Sequence, residues 1–129
     1  TIFSADSVDD DRRYGDAYEA YEKAITCDPR DGSLYMNLAN HIMLRGFLRN
    51  AEGKIVGPET DTSRQRTAVP LYIKALDDSY RDLRGSIVNA LASYKMMPAA
   101  LAISNGETPE GDWDYSALMY IENLIGQGS

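Results

Sequence analysis

Cysteine and histidine are scarce in this sequence, and their scarcity excludes the covalent and metal crosslinks that stabilise many small folds. The 129 residues include one cysteine, Cys27, and one histidine, His41. A single cysteine cannot form an internal disulfide, and one thiol with one imidazole is too small a ligand set for a structural zinc site. We therefore predict no bound metal or cofactor, and a fold that is held together by its hydrophobic core.

Long hydrophobic runs are also absent. No uninterrupted apolar stretch approaches the roughly 20 residues that a helix needs to cross a bilayer. Residues 1–8 lack the basic start and the apolar run of a secretory signal, and no asparagine lies in an Asn-x-Ser/Thr acceptor. We therefore predict a cytoplasmic protein that does not span a membrane.

Basic residues are outnumbered by acidic ones. Lysine and arginine total 13 against 20 aspartates and glutamates, so the formal net charge is -7. A negative field of this kind opposes approach to phosphate backbones and to anionic lipid. We therefore predict that neither nucleic acid nor a membrane is among the partners.

The remaining composition is typical of one globular domain. Apolar residues make up 43% of the chain and charged residues 26%, and a chain of this length buries roughly two thirds of its unfolded surface. Apolar positions recur at spacings of three and four, and no segment alternates cleanly at a spacing of two. The pattern predicts an all-α fold with a flexible acidic N-terminal arm at residues 1–10. A single helical domain follows at 11–129, with a long loop at about 47–66.

Two helices are predicted in the first part of this domain. The first spans about residues 11–26, where apolar residues recur at spacings of three and four and charged residues fall on the opposite face. The second follows Asp31 and Ser33, which are good N-cap residues, and Gly46 is placed to end it.

Three more helices are predicted after the long loop. The first of them carries the apolar positions of residues 68–76, and it tolerates Pro70 only if it begins within about one turn before that residue. The next covers residues 83–94 and ends or kinks near Pro98. The last covers residues 115–125.

Two segments of the chain resemble each other. Residues 17–25 and 68–76 both read A-x-x-x-Y-x-K-A followed by an aliphatic residue. The first segment and its exit have the small, aromatic, small and proline spacing of a known repeat, carried by Ala17, Tyr21, Ala24 and Pro29. Over roughly half its length, the chain therefore resembles the tetratricopeptide family of helix-turn-helix repeats.

The resemblance implies antiparallel helical hairpins that stack into a tetratricopeptide-like solenoid. Two departures from the family leave a closed helical bundle as the alternative. The loop at 47–66 replaces the family's tight turn after Gly46, and Tyr80 stands where the second segment would carry its proline.

The resemblance also implies a binding site. In the family, the first helix of each unit lines a concave groove, where asparagine side chains hold the backbone of an extended ligand. Asn37 and Asn40 occupy such places in this sequence, with Met36 and Met43 on neighbouring faces. An amide offers both a donor and an acceptor, which suits any peptide backbone. We predict peptide binding at these four residues; the alternative is that the amides bind only water on a solvated helix face.

Catalytic motifs are absent from the sequence. Nucleophilic catalysis needs a base beside a serine or cysteine, and for Cys27 and His41 we expect a buried thiol and a partly exposed imidazole. The leading interpretation is a non-catalytic protein- or peptide-binding helical adaptor. One alternative is a structural subunit that forms a homo-oligomer through its tyrosine- and methionine-bearing faces. The other is a small helical enzyme built on a carboxylate or on Cys27 and His41.

Overall fold

Helices account for most of the residues that the computed structural model describes, which are 5–45, 48–49, 55–56, 61–77 and 82–127. The all-α class predicted from the apolar spacing is therefore confirmed. In chain order the elements are α1 (Ala5–Cys27), α2 (Gly32–Arg45), β1 (Leu48–Arg49), β2 (Ile55–Val56), α3 (Asp61–Leu76), α4 (Arg84–Ser93), α5 (Met97–Ser104) and α6 (Ser116–Gln127).

A two-residue strand pair lies in the connection between α2 and α3. The strands β1 and β2 run antiparallel, with Leu48 opposite Val56 and Arg49 opposite Ile55. Strands this short offer too few alternating positions for a spacing of two to be recognised in the sequence. Some of the predictions fall outside the described residues: the helix end at Gly46, most of the loop, residues 1–4 of the arm, and the position of Tyr80.

Two helices begin earlier in the chain than the apolar spacing indicates. Helix α1 begins at Ala5, inside the segment predicted as an N-terminal arm, and α3 begins at Asp61, inside the predicted loop. Residues 61–66 read DTSRQR and contain no apolar residue. A segment without an apolar side chain carries no amphipathic signal, so its helical state could not be read from the period.

The prediction that the third helix begins within one turn of Pro70 is wrong, because α3 extends nine residues before it, from Asp61. A proline lacks an N–H and therefore leaves the carbonyl four residues earlier without its helical donor. That carbonyl belongs to Arg66, and it accepts a hydrogen bond from the N–H of Asp114 at 2.9 Å. The Arg66 guanidinium adds two bonds to Asp112, from Nε to the main-chain oxygen at 3.0 Å and from Nη2 to Oδ2 at 3.1 Å.

The segment around Pro98 forms two helices separated by a turn. Helix α4 ends at Ser93 and α5 begins at Met97, with Pro98 in its first turn. Lys95 takes a left-handed conformation, with φ of 63°, and the N–H of Met96 donates to the carbonyl of Leu91 at 2.9 Å. This is the Schellman arrangement that ends many helices. It reverses the chain so that α4 and α5 pack against each other.

The core lies where the long helices meet. Helix α2 packs between α1 and α3, and α6 packs against both α1 and α3. These four helices therefore form a closed ring of contacts. The largest fully buried side chains are Tyr35, Tyr72, Ile25, Leu38, Ile42, Leu71, Ile87, Leu91, Ile103, Ile121, Val69 and Pro70.

Candidate binding site

The two asparagines predicted to hold a peptide have different surroundings. Asn37 is exposed on α2, whereas Asn40 is half-buried. The Oδ1 atom of Asn40 accepts a hydrogen bond from the hydroxyl of Tyr72 on α3. Burial, and secondarily the nearby Tyr94, raise the pKa of Tyr72 far above its usual value, so this phenol stays protonated and keeps donating. The Asn40 amide therefore already has a partner inside the protein.

The two methionines predicted beside the asparagines also differ in exposure. Met43 is 8% exposed and belongs to the core, and Met36 is half-buried and packs against it. The four residues do not form one exposed face, and Asn37 is the only one of them that is exposed. Peptide binding at these residues stays a prediction.

The surroundings of Cys27 and His41 are the reverse of those expected from the sequence. The thiol of Cys27 is exposed at the end of α1, and His41 is 7% exposed. The imidazole packs against the ring of Tyr21, with centroids 5.9 Å apart and planes tilted by 57°. The expectation of a buried thiol and a partly exposed imidazole is wrong because α2 turns His41 toward α1.

A concave surface lies between α3, α6 and the segment that follows α5; we call it the α3–α6 groove. Its volume is about 390 Å³. Its apolar lining is Pro70, Ile73, Leu76, Pro109 and Leu118, and its polar and small residues are Lys74, Asp77, Arg84, Gly106, Glu107, Thr108, Tyr115 and Glu122.

Two local backbone features position the chain segment that lines this groove. Gly106, with φ of 79°, ends α5 in a left-handed turn that redirects the chain toward α3. Asp114 stabilises the start of α6, since its Oδ1 accepts bonds from the Ser116 N–H at 3.0 Å and from the Ser116 hydroxyl at 2.6 Å. Asp31 makes the same pair of bonds to Ser33 at the start of α2, as predicted for its N-cap. These turns and the Arg66 contacts hold the segment between α5 and α6 against α3.

The charged groups of the groove are partly neutralised within the protein. Lys74 Nζ lies 3.8 Å from Asp77 Oδ2. The Arg84 guanidinium is held in place by its Nη1 atom, which donates to the carbonyl of Ile103 at 2.6 Å. Burial of Tyr35 and, to a smaller extent, the negative charge of Glu122 raise the pKa of the Tyr35 phenol to about 12. Glu122 itself is exposed. The groove is therefore lined by apolar side chains and by charged groups of both signs.

A second concave surface lies on the other side of residues 107–109; we call it the α5 cavity. It has a volume of about 370 Å³ and is lined by Pro98, Ala99, Ala102, Glu107, Thr108, Pro109, Glu110 and Trp113. Sequence reasoning missed both surfaces because left-handed turns and long-range hydrogen bonds form them. The one available signal was the segment 105–113, which is rich in turn residues and carries the single tryptophan of the chain.

The described residues contain no group of three or more His, Cys, Asp or Glu side chains that could hold a metal ion. Among these residues, no helix has both the length and the apolar character that a bilayer span requires. No family model, curated protein or solved structure matches this chain.

Proposed function

We propose that this protein is a non-catalytic peptide-binding helical module whose contact surface is the α3–α6 groove. The observation that carries the proposal is the set of apolar side chains that line this groove together with Tyr115, which is 46% exposed. Ligand sites are concave and mostly apolar, with a few polar groups that fix orientation. A volume of about 390 Å³ suits one or two side chains of an extended peptide.

The lining supports binding rather than catalysis. The described residues that line the groove include no cysteine, histidine or serine, so they do not offer the Ser–His or Cys–His pairing of nucleophile and base. The Arg84 guanidinium is fixed through one nitrogen and has further N–H groups that can donate to a peptide carbonyl. The exposed carboxylates of Glu107 and Glu122 can accept peptide N–H groups.

The ring of contacts among α1, α2, α3 and α6 supports the closed-bundle alternative for the architecture. In a solenoid each repeat contacts only its neighbours, whereas here the last helix returns to the first. The tetratricopeptide resemblance then concerns the local arrangement of α1 and α2, whose turn contains Pro29. We propose a helical bundle with one repeat-like hairpin in place of an open superhelix.

Selection of a random displayed peptide library on the purified chain tests the proposed function. For the tightest peptide, we expect Tyr115→Ala to raise the dissociation constant by about tenfold, because exposed aromatic rings dominate such contacts. Met119→Ala is the matched control: Met119 is 54% exposed on α6, four residues after Tyr115, but does not line the groove. Loss of binding in Asn37→Ala and not in Tyr115→Ala would move the site to the face predicted from the sequence. Failure to select any peptide would refute the proposal.

Self-association is the second candidate function. Met97 and Leu101 lie one turn apart on α5 and are 49% and 58% exposed. Helix α5 carries no charged residue, so two copies can pair there without bringing like charges together, despite the acidic chain. Sedimentation equilibrium from low micromolar to near-millimolar concentration tests this. A dimer that Leu101→Glu abolishes and Met119→Glu retains would support it.

A further inference from the structure

The α5 cavity differs from the α3–α6 groove in the sign of its charges. Among the described residues, the charged side chains that line it are Glu107 and Glu110, and no lysine or arginine of that part of the chain lines it. Both carboxylates are exposed, and neither forms an ion pair with any residue in the described ranges. The neutral lining consists of two prolines, two alanines, Thr108 and the indole of Trp113. The cavity is therefore an apolar and aromatic recess with negative charge at its edge.

The indole of Trp113 is fixed before any ligand arrives. Its Nε1 donates to the carbonyl of Pro109 at 3.3 Å. Gly111 packs so closely against the ring that a Cβ atom at this position would lie 2.4 Å from a ring carbon. The Trp113 side chain is nevertheless only half-buried, and it contributes surface to the cavity. Such prior fixation reduces the entropy that is lost on binding.

We propose that the α5 cavity binds the side chain of an arginine carried by an extended peptide of a partner protein. A guanidinium stacks on an indole and at the same time donates hydrogen bonds to carboxylates, and Trp113, Glu107 and Glu110 all line this cavity. The net charge of -7 attracts a basic partner over long distances. The compact, strongly hydrated ammonium of lysine stacks less well on an aromatic ring. The cavity therefore selects arginine over lysine.

The probe for this proposal is the peptide acetyl-Ala-Arg-Ala-amide, titrated into the full chain. Trp113 is the only tryptophan, so its fluorescence reports on this cavity, and isothermal titration calorimetry detects binding independently of fluorescence. We expect saturable binding that weakens as salt is added. The citrulline analogue has the same shape without the charge, and we expect it to bind at least about fivefold more weakly. The lysine analogue should fall between the two.

Matched variants locate the binding. Glu110→Gln, at a carboxylate that lines this cavity and not the α3–α6 groove, should weaken the arginine peptide. Combined with Glu107→Gln, it should weaken that peptide by at least about fivefold and remove most of the salt dependence. Glu122→Gln is the control, since this exposed carboxylate lines only the α3–α6 groove. Tyr115→Ala, which removes the proposed peptide contact in that groove, should also leave this binding unchanged, so the two proposals fail or succeed separately.

Three results would overturn the inference. One is equal affinity for the arginine and citrulline peptides, and another is an unchanged affinity in the double glutamine variant. The third is no saturable signal in fluorescence or calorimetry up to roughly 10 mM peptide, a concentration at which even weak specific contacts are detected.

Discussion

The main-chain carbonyl of Arg66 accepts a hydrogen bond from the main-chain N–H of Asp114 at 2.9 Å. In an uninterrupted helix this carbonyl would accept from residue 70, but Pro70 has no N–H to donate. The proline in α3 thus creates an acceptor on the helix surface, and the segment between α5 and α6 supplies the donor. Because this segment lines both concave surfaces, a helix irregularity in α3 contributes to the shape of both.

Replacing Pro70 with alanine restores an N–H that competes for the Arg66 carbonyl. We expect the Asp114 amide of Pro70→Ala to lose protection against hydrogen exchange by at least about tenfold, since its acceptor is taken over by the helix. Exchange followed by nuclear magnetic resonance measures this directly. The amide of Glu107, which donates to Ala102 at 2.8 Å, is the internal control and should keep its protection. Equal protection of Asp114 in both proteins would show that the proline is irrelevant to this contact.

Gly111 has no room for a side chain. A Cβ atom there would approach the Trp113 ring to 2.4 Å, so Gly111→Ala must displace the indole, and we expect it to lower the free energy of unfolding by about 1 to 3 kcal/mol. Gly85→Ala in α4 is the control because nothing lies within 4 Å of its added Cβ. Urea unfolding followed by circular dichroism compares the two. A neutral Gly111→Ala would mean that the indole moves freely, which also argues against a prearranged α5 cavity.

Lys95 takes a conformation that suits glycine better than lysine. Its φ of 63° is left-handed, and it is exposed, so its side chain makes no buried contact that glycine would lose. We expect Lys95→Gly to raise the free energy of unfolding by roughly 0.5 to 1 kcal/mol. Gly106 has the same role at the end of α5, and Gly106→Ala should lower stability by about 1 kcal/mol. Thermal unfolding measures the stability of both variants. A loss of stability in Lys95→Gly would mean that the left-handed conformation at this position is not strained for lysine.

Alkaline pH should destabilise the fold through Tyr35. Burial and, secondarily, the Glu122 charge raise the pKa of this phenol to about 12, whereas the pKa of an exposed tyrosine is about 10. Between these values the unfolded chain has lost the proton that the native state still holds, so stability falls as pH rises. One such group contributes a slope of up to about 1.4 kcal/mol per pH unit.

Two phenylalanine variants measure this contribution. Between about pH 10 and 12, the unfolding free energy of Tyr35→Phe should decline less steeply with pH than that of the wild type. The difference in slope should be that of one titrating group. Tyr115→Phe, at a 46% exposed position, is the matched control for the loss of a tyrosine hydroxyl. Urea unfolding at a series of alkaline pH values gives the slopes. Identical slopes for wild type and Tyr35→Phe would show that Tyr35 is not protected from titration.

Local sequence signals were sufficient for the parts of the fold that depend on one helix at a time. The apolar spacing that includes Leu38 and Ile42 predicted α2, and the N-cap at Asp31 predicted its start. The start of α3 relative to Pro70 was predicted wrongly. The carbonyl that Pro70 leaves without a helical donor accepts a hydrogen bond from Asp114, which lies far along the chain. The two concave surfaces depend on such distant contacts and on the left-handed turn at Gly106, which no spacing of apolar residues encodes.

The asparagine pair shows the same limit at the level of a single side chain. Spacing of three put Asn37 and Asn40 on one helix face, but neighbouring positions on a face differ in direction by about 60°. Asn40 therefore lies at the boundary with α3, where it meets the Tyr72 hydroxyl, while Asn37 is exposed. The spacing of residues along α2 does not indicate which helix packs beside this face, and that packing decides which amide is available to a ligand.

Asn40→Ala should therefore destabilise the fold, and Asn37→Ala should not. Removing the Asn40 amide leaves the buried Tyr72 hydroxyl without an acceptor, which costs about 1 to 3 kcal/mol of unfolding free energy. Truncating the exposed Asn37 should change stability by less than about 0.5 kcal/mol. Adding Tyr72→Phe to Asn40→Ala removes the orphaned hydroxyl and should recover part of the loss, so the double-mutant cycle gives a coupling energy well above zero. Urea unfolding of the three variants and the Asn37→Ala control measures it. A coupling energy near zero would mean that this hydrogen bond does not persist in solution, and Asn40 would then be as free to bind a peptide as Asn37.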